Sequence, residues 1–153
     1  MSDYQRYRSG PISEVKSKVA AGVQADVGDL VALISGKVQT FTSAALTSAN
    51  FRTSFLGVLV QGHTTGTETT DSTCLVYTFG EFEFPLSAAA GAAVDLGGLV
   101  AATADQIVAT GAILGAAGTG TAIGRLARRI EVGDTTAIVK IESVIFGGSQ
   151  PLT

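Results

Sequence analysis

The chain has 153 residues with one histidine, His63, and one cysteine, Cys74, the side chains most often used as catalytic base and thiol nucleophile. His63 lies in a threonine-rich segment, and the chain has no G-x-S-x-G sequence that would present a nucleophilic serine. Cys74 has no basic neighbour in sequence that would lower the pKa of its thiol. We therefore expect His63 to be solvated and Cys74 to pack as a small apolar residue, and we predict no catalytic residues.

Two pairs of acidic residues are spaced closely enough to act together. Glu81 and Glu83 share one face of a predicted strand, and Glu131 and Asp134 flank a turn. Such pairs can serve acid–base chemistry or bind a hard cation, but carboxylates on an exposed strand or turn are the more common case. One histidine and one cysteine also leave a zinc site without ligands. We predict neither a metal nor a cofactor.

A glycine-rich segment, 118–124, has the pattern G-x-G-x-x-x-G and resembles a phosphate-binding turn. Its spacing departs from the dinucleotide pattern G-x-G-x-x-G. The chain that follows Gly124 is also too short for a nucleotide-binding fold after that strand. The segment therefore favours a connector between strands, and a small nucleotide-binding domain that uses the Gly118–Gly124 loop is the less favoured alternative.

Composition excludes several classes of protein. The chain is 46% hydrophobic but only 15% charged, so it is too apolar to be disordered and has apolar surface that a partner subunit would cover. A net charge of −3 argues against nucleic-acid binding. The N-terminus has no apolar run typical of a signal peptide, and the charge-free segment 106–124 holds five glycines, which argues against a membrane span.

Positive charge is concentrated at the N-terminus. Segment 1–18 contains four of the ten basic residues and two of the thirteen acids, a net of +2 against −5 for the rest. We predict that residues 1–19 form an arm, disordered in the free protein, whose deletion leaves the fold intact. Arginine and tyrosine are frequent in interface hot spots. The residues predicted to bind the partner are Tyr4, Arg6, Tyr7, Arg8, Lys16 and Lys18.

The rest of the chain has the pattern of short strands separated by turns. Segment 30–34 is an apolar run typical of a buried strand, and 37–41 alternates polar and apolar residues, so Ser35 and Gly36 predict a hairpin turn. Gly80 is expected to break a strand that ends at Pro85. Further strands are predicted at 55–60, 74–79, 81–84, 98–101, 106–110, 122–127 and 136–141.

The segments between these strands are predicted to be irregular. Residues 61–72 are predicted to form an exposed loop, and 43–50 a loop or a single helical turn. Residues 87–94 form either a short helix capped by Ser87 or a connector of small residues. The predicted core consists of Leu30, Val31, Leu33, Val58, Val60, Leu75, Val76, Phe82, Phe84, Leu99, Val108, Ile123, Ile138, Val139 and Ile141.

The second half of the chain repeats the first in the same order. Leu30 matches Leu99, Gly57 matches Gly124, and Leu75 matches Ile138, with only a small drift in their separation along the chain. Two copies are too few for a solenoid. The repeat predicts a mainly β fold, a small barrel-like or sandwich domain built from two similar β units with an extended N-terminal arm. The predicted boundaries are 1–19 for the arm, 20–146 for the β domain and 147–153 for a C-terminal tail.

The order of these segments resembles the small capsid decoration, or cement, proteins of tailed bacteriophages. The segments that carry the resemblance are 27–31, 57–59, 98–100, 107–109, 122–126 and 132–141, behind a short basic arm. The resemblance implies a β-rich homotrimer without an active site on the outside of the expanded head, whose arms bind the major capsid protein. It further implies synthesis in the host cytoplasm and a final location on the virion. Another virion part, a head–tail adaptor or tail protein, is the alternative within the same class.

Overall fold

The computed structural model describes residues 7–110 and 120–145, with side chains from residue 14 onward. Strands make up 53% of the structure and helix 5%, which confirms the predicted mainly β fold. The elements are β1 (Tyr7–Val19), β2 (Gln24–Ala25), β3 (Leu30–Ile34), β4 (Lys37–Thr40), α1 (Ser48–Thr53), β5 (Phe55–Gln61), β6 (Thr64–Thr65), β7 (Ser72–Pro85), β8 (Leu99–Ala104), β9 (Ile107–Thr110), β10 (Ala122–Leu126) and β11 (Thr136–Glu142).

Five strands close into a β-barrel. Strands β1, β4, β3, β5 and β7 lie side by side in that order, and β1 then pairs with β7. The neighbouring strands are antiparallel except for β1 and β4, which meet in parallel where Val19 pairs with Val38. Closing the sheet in this way pairs both of its edges and so protects their backbone groups from pairing with other chains.

The second unit repeats this arrangement and shares one strand with the first. Its strands follow the order β7, β11, β10, β8 and β9, and a parallel bridge between Leu86 and Val108 brings β9 back to the end of β7. This bridge corresponds to the pairing of Val19 with Val38 in the first unit. Strand β7 is thus the last strand of one unit and the first of the other, and the prediction of two similar β units is confirmed.

Matched glycines occupy the same place in both units. A Cβ atom on Gly57 would overlap the carbonyl oxygen of Tyr77, and one on Gly124 would overlap the carbonyl oxygen of Lys140. Only glycine allows β5 and β10 to approach their neighbouring strands this closely. The two units therefore make the same backbone contact at a pair of glycines that the sequence repeat had matched.

The hairpin between β3 and β4 forms as predicted. Ser35 and Gly36 have φ values of 53° and 78°, and positive φ at both central residues is typical of the tight turn that matches the twist of antiparallel strands. The pairing of Ile34 with Lys37 fixes the register. Residues on both faces of β3 are buried, whereas only one face of β4 is buried.

Strand β7 runs without interruption through the predicted break at Gly80. Its residues alternate between buried and partly buried from Cys74 to Pro85. Gly80 has a φ of 140°, which few residues with a side chain adopt, and it still pairs with Ile141 of β11. The prediction of two separate strands is therefore wrong, because Gly80 keeps its pairing with β11 and the strand continues through it.

The buried apolar residues form two clusters, one on each side of the sheet that contains β7. One fills the closed barrel and contains Val19, Val31, Val38, Leu59 and Val76. The other lies between the units and inside the second one. Its large members include Leu30, Phe51, Phe55, Val58, Phe82, Phe84, Val108, Ile123, Val139 and Ile141. Adjacent residues of β3 therefore point into different clusters.

Ten of the fifteen predicted core residues are buried. Leu33, Val60, Leu75, Leu99 and Ile138 are only partly buried, so the prediction is wrong for these five. Leu75 and Ile138 occupy the outward positions of strands that alternate in burial.

Helix α1 supplies core that the sequence analysis missed. Its N-cap is Thr47, whose hydroxyl accepts a hydrogen bond from the N–H of Asn50 at 3.2 Å, so the helix begins later than the predicted turn at 43–50. The fully buried ring of Phe51 lies 5.1 Å from that of Phe41 and 5.7 Å from that of Phe55. The helix packs on β8 and β10 and so covers the core between the units.

Two connecting segments differ from or refine their predictions. Residues 61–72 contain β6, which pairs with β2, and the buried hydroxyl of Thr64 donates a hydrogen bond to the carbonyl of Val23 at 2.6 Å. The prediction of a fully exposed loop is therefore wrong at Thr64. Residues 87–94 form no helix and are the predicted connector of small residues.

The N-terminal segment is part of the barrel from residue 7 onward, which corrects the predicted domain boundary at residue 20. Strand β1 pairs with β7 from Tyr7, opposite Phe82, to Val19, opposite Ser72. Val19 is fully buried and Val15 packs against the barrel cluster. The predicted tail, 147–153, lies outside the described residues.

We predict that Gly57→Ala and Gly124→Ala each destabilise the protein by about 3 kcal/mol, because the added methyl group would displace a neighbouring backbone carbonyl. The matched control is Gly91→Ala, where a Cβ meets nothing within 4 Å. Thermal or urea unfolding measures the change. Equal stability of Gly57→Ala and Gly91→Ala would contradict the close approach.

We also predict that deletion of residues 2–18 abolishes the cooperative unfolding transition, because it removes a wall of the barrel and exposes the edges of β4 and β7. Deletion of residues 2–6, which spares β1, is the control and should leave the transition in place. Differential scanning calorimetry of both truncated chains tests this. An unchanged melting temperature after the longer deletion would show that β1 is dispensable.

Candidate functional site

The outward face of β1 carries positive charge. Glu14, Lys16 and Lys18 are exposed, while Val15 and Val19 face the barrel interior. The period of two in this segment is the ordinary pattern of a half-buried strand. Of the other predicted partner-binding residues, Tyr4 and Arg6 lie outside the described residues, and Tyr7 and Arg8 are described only as backbone in β1.

An open cleft of about 570 Å³ lies beside these lysines. It is lined by Lys16, Gln61, Gly62, Thr73, Cys74 and Leu75. Gly62 has a φ of 117° and approaches the backbone of Cys74 so closely that a side chain there would collide with it. The close approach of these two chain segments forms the floor of the cleft. Lys16 places a cation at its margin.

Lys16 and Lys18 differ in the charged side chains that lie near them. Lys37 forms an ion pair with Asp71 at 2.9 Å, and its hydrogen bond, together with that of the Ala21 N–H, lowers the pKa of Asp71. The charge of Lys18 acts on the same carboxylate. Within the described part of the chain, Lys16 forms no ion pair. This face of the barrel therefore presents an exposed cation next to a partly apolar cleft.

A second surface lies at the end of the second unit, where the connector 87–94 runs beside the turn 130–134. Ala90 forms two backbone hydrogen bonds with the turn. Its carbonyl accepts from the Gly133 N–H, and its own N–H donates to the carbonyl of Asp134, both at 2.8 Å. We call this the connector–turn surface. Its exposed residues are Ser87, Ala88, Ala89, Gly91, Ala92, Ala93, Glu131, Val132 and Gly133.

The connector–turn surface is uncharged at its centre and charged at its border. Val132 is 69% exposed, one of the largest exposures of a bulky apolar residue in the described part of the chain. Arg129 forms ion pairs with Asp95 and Glu131, which raise the pKa of its guanidinium, Glu131 making the larger contribution. Because these border charges are already paired, the surface suits a partner with small, uncharged side chains.

The residues considered for chemistry occupy ordinary structural positions. His63 is exposed, with its Nδ1 atom 2.8 Å from Asp26. Cys74 is buried, and this burial raises the pKa of its thiol. Glu83 accepts a hydrogen bond from the hydroxyl of Thr136 at 3.1 Å. Asp134 accepts one from the N–H of Glu131 at 2.9 Å, so this acidic pair closes a turn.

The glycine-rich segment is only partly described, from Gly120 onward. Residues Ala122–Leu126 form β10, and Gly124 packs against the backbone of β11. A phosphate-binding turn would need a helix here. From Gly120 onward the segment is a turn that leads into β10.

Asp26, Asp29 and Asp105 line a pocket of about 380 Å³ between the two units, together with hydroxyl groups of Thr40, Thr42 and Ser43. Across residues 7–110 and 120–145, no group of three or more histidine, cysteine or acidic side chains is arranged to hold a metal ion. No helix in these ranges is long and apolar enough to cross a membrane.

Comparison of the chain with models of known protein families and with characterised proteins gives no match. Function must therefore be inferred from the residues and surfaces themselves. Sequence analysis identified Lys16 and Lys18 by their charge, but it missed the connector–turn surface. The low bulk of 87–94 was the only signal, since the pairing with 130–134 is a long-range contact.

Proposed function

We propose that this chain is a structural protein of a phage particle that binds the outside of the capsid and stabilises it, as a decoration or cement protein. The observation that carries the proposal is the outward face of β1, where Lys16 and Lys18 stand beside an open cleft on a closed barrel. The same segment supplied the basic residues of the resemblance. The proposed partner is the major capsid protein, and the proposed location is the virion surface.

Barrel closure fits such a role physically. A protein that coats a large assembly in many copies must not pair edge to edge with itself, and closure of the first unit covers the backbone groups that would allow it. Contact with a partner then depends on side chains. Exposed cations and a cleft at β1 offer carboxylates of the capsid protein a docking surface with charge complementarity.

The second part of the proposal is self-association into a homotrimer through the connector–turn surface. Small exposed residues around Val132 allow the backbone of another copy to approach closely. The number three comes from the resemblance, and the exposed small residues of the connector–turn surface support this position for the contact. Because the border ion pairs are internal, packing of uncharged groups would dominate this contact.

We predict that Lys16→Glu combined with Lys18→Glu weakens binding to expanded capsids by about tenfold at low salt. Each substitution replaces an attraction of about 1 kcal/mol or less by a repulsion of similar size. The loss should shrink as salt rises, because exposed charges are screened. Co-sedimentation with capsids that lack the protein measures it. Arg128→Glu combined with Lys140→Glu, the same total charge change on two exposed residues of the second unit, is the matched control.

Equal binding by the β1 double variant and by the double control variant would contradict the role of β1. Deletion of residues 2–6 separates the contribution of Tyr4 and Arg6, because it leaves β1 whole. Counting bound copies per capsid distinguishes the classes of virion protein. A decoration protein saturates at hundreds of copies, whereas a head–tail adaptor binds only at one vertex.

We predict that Val132→Glu shifts the protein from trimer towards monomer, because a buried unpaired carboxylate is costly at a subunit contact. Sedimentation equilibrium measures the mass. The control is Thr70→Glu, at an exposed position of the first unit. A wild-type protein that sediments as a stable monomer would contradict a trimer preformed in solution.

A further inference from the structure

Besides sharing β7, the two units contact each other at a pair of turns. The first turn is 26–29, which leads into β3, and the second is the β8–β9 turn with Asp105 and Gln106. The N–H of Leu30 donates to the carbonyl of Asp105 at 2.6 Å, and the Gln106 side-chain amide donates to Oδ1 of Asp29 at 2.7 Å. We call this pair of hydrogen bonds the inter-unit latch.

Asp29 is an unusual residue to find at such a contact, because it is only 3% exposed. Its second oxygen, Oδ2, accepts the N–H of Asp26 at 2.8 Å. The charged side chains that face it are the carboxylates of Asp26 and Asp105, which line the same pocket. His63 contacts Asp26, and the N–H of Thr42 donates to Asp105 at 2.6 Å. Ionised Asp29 therefore stands near two like charges.

A turn of the same type elsewhere in the chain shows what is specific to Asp29. In 131–134, Asp134 accepts the N–H of Glu131 at 2.9 Å, and Gly133 has a φ of 91°, against 98° for Gly28. Asp134 is nevertheless partly exposed. Closing the turn does not require a buried carboxylate.

The position in the second unit that is equivalent to Asp29 also shows that the barrel does not require a carboxylate there. The backbone groups of Asp29 and Leu59 bond as those of Gly98 and Leu126 do, so Gly98 is the equivalent of Asp29. The barrel therefore does not need an acid at this place. What distinguishes Asp29 is its burial against the other unit.

We propose that the inter-unit latch is sensitive to pH: the contact between the two turns as a whole is more stable when Asp29 carries a proton and less stable when Asp29 is ionised. Protonated Asp29 keeps an oxygen that accepts from Gln106 or Asp26 and gains an O–H that can donate to a neighbouring carboxylate. Ionisation places a third negative charge in the pocket of Asp26 and Asp105. The two units are then held together more weakly at this turn, while β7 still joins them.

The direction of the effect follows from the environment of the carboxyl group. Burial raises the pKa of Asp29 from 3.8 to about 6, against the lowering effect of hydrogen bonds from Asp26 and Gln106, and with smaller contributions from the charges of Asp105 and Asp26. The folded protein thus binds this proton more tightly than the unfolded chain does. The resulting stability is fully present below pH 3.8 and is lost as the pH rises through about 6.

The test compares the wild-type chain with Asp29→Asn, which keeps an acceptor for the Asp26 N–H and cannot ionise. Gln106 can still pair with it after its amide turns over. Between about pH 7.5 and about pH 4.5, the ratio of the two unfolding equilibrium constants should change about 30-fold, with the variant the more stable at the higher pH. Asp134→Asn is the matched control and should leave the wild-type pH profile unchanged.

Hydrogen exchange tests the latch itself. Protection of the Leu30 amide, corrected for its intrinsic rate, should rise on acidification in the wild type but not in Asp29→Asn. The Leu126 amide, which bonds to Gly98 in the second unit, should respond equally in both proteins. If Asp29→Asn fails to fold, the carboxyl carbon of Asp29 in the wild type is titrated by NMR. A midpoint near 4, or parallel stability profiles of wild type and variant, would overturn the proposal.

Discussion

Strand β7 is the constraint that organises both units, because each of them uses it as a wall. It closes the barrel by pairing with β1 along most of its length and with β5 in its first half, and its second half pairs with β11 and begins the second unit. Cys74 and Val76 enter one hydrophobic cluster, while Phe82 and Phe84 enter the other. The strand continues from one core to the other through Gly80, whose φ of 140° few residues with a side chain adopt.

The shared strand also determines where the two units touch. Because β7 joins them covalently, β3 and β5 of the first unit lie against the second, and α1 covers the core between them. Each unit keeps its own glycine contact, Gly57 or Gly124, where two strands pack without a side chain between them. The inter-unit latch forms at a further contact between the units, between the turns of Asp29 and Gln106. The junction therefore combines apolar packing with a buried polar contact.

This architecture places the proposed docking surfaces at separate positions. One faces outward from β1 of the first unit, and the other lies on the loops at the end of the second. A capsid contact through Lys16 and Lys18 and a contact between copies through Val132 would therefore use different units. Such a division suits a protein that must bind a large surface and its own neighbours at the same time. It also allows each contact to be altered without the other.

Local elements could be predicted from the amino-acid pattern alone. The apolar run of β3, the hairpin turn at Ser35 and Gly36, and the repeat that relates Gly57 to Gly124 are all readable, because strand periodicity and turn preferences depend on near neighbours. The place of β1 in the barrel, by contrast, depends on long-range pairing. In the sequence its lysines are typical of a solvated arm, and only the pairing of β1 with β7 places them on a strand of the barrel. The burial of Asp29 could not be predicted either, because it depends on Gln106 of the other unit, far away along the chain.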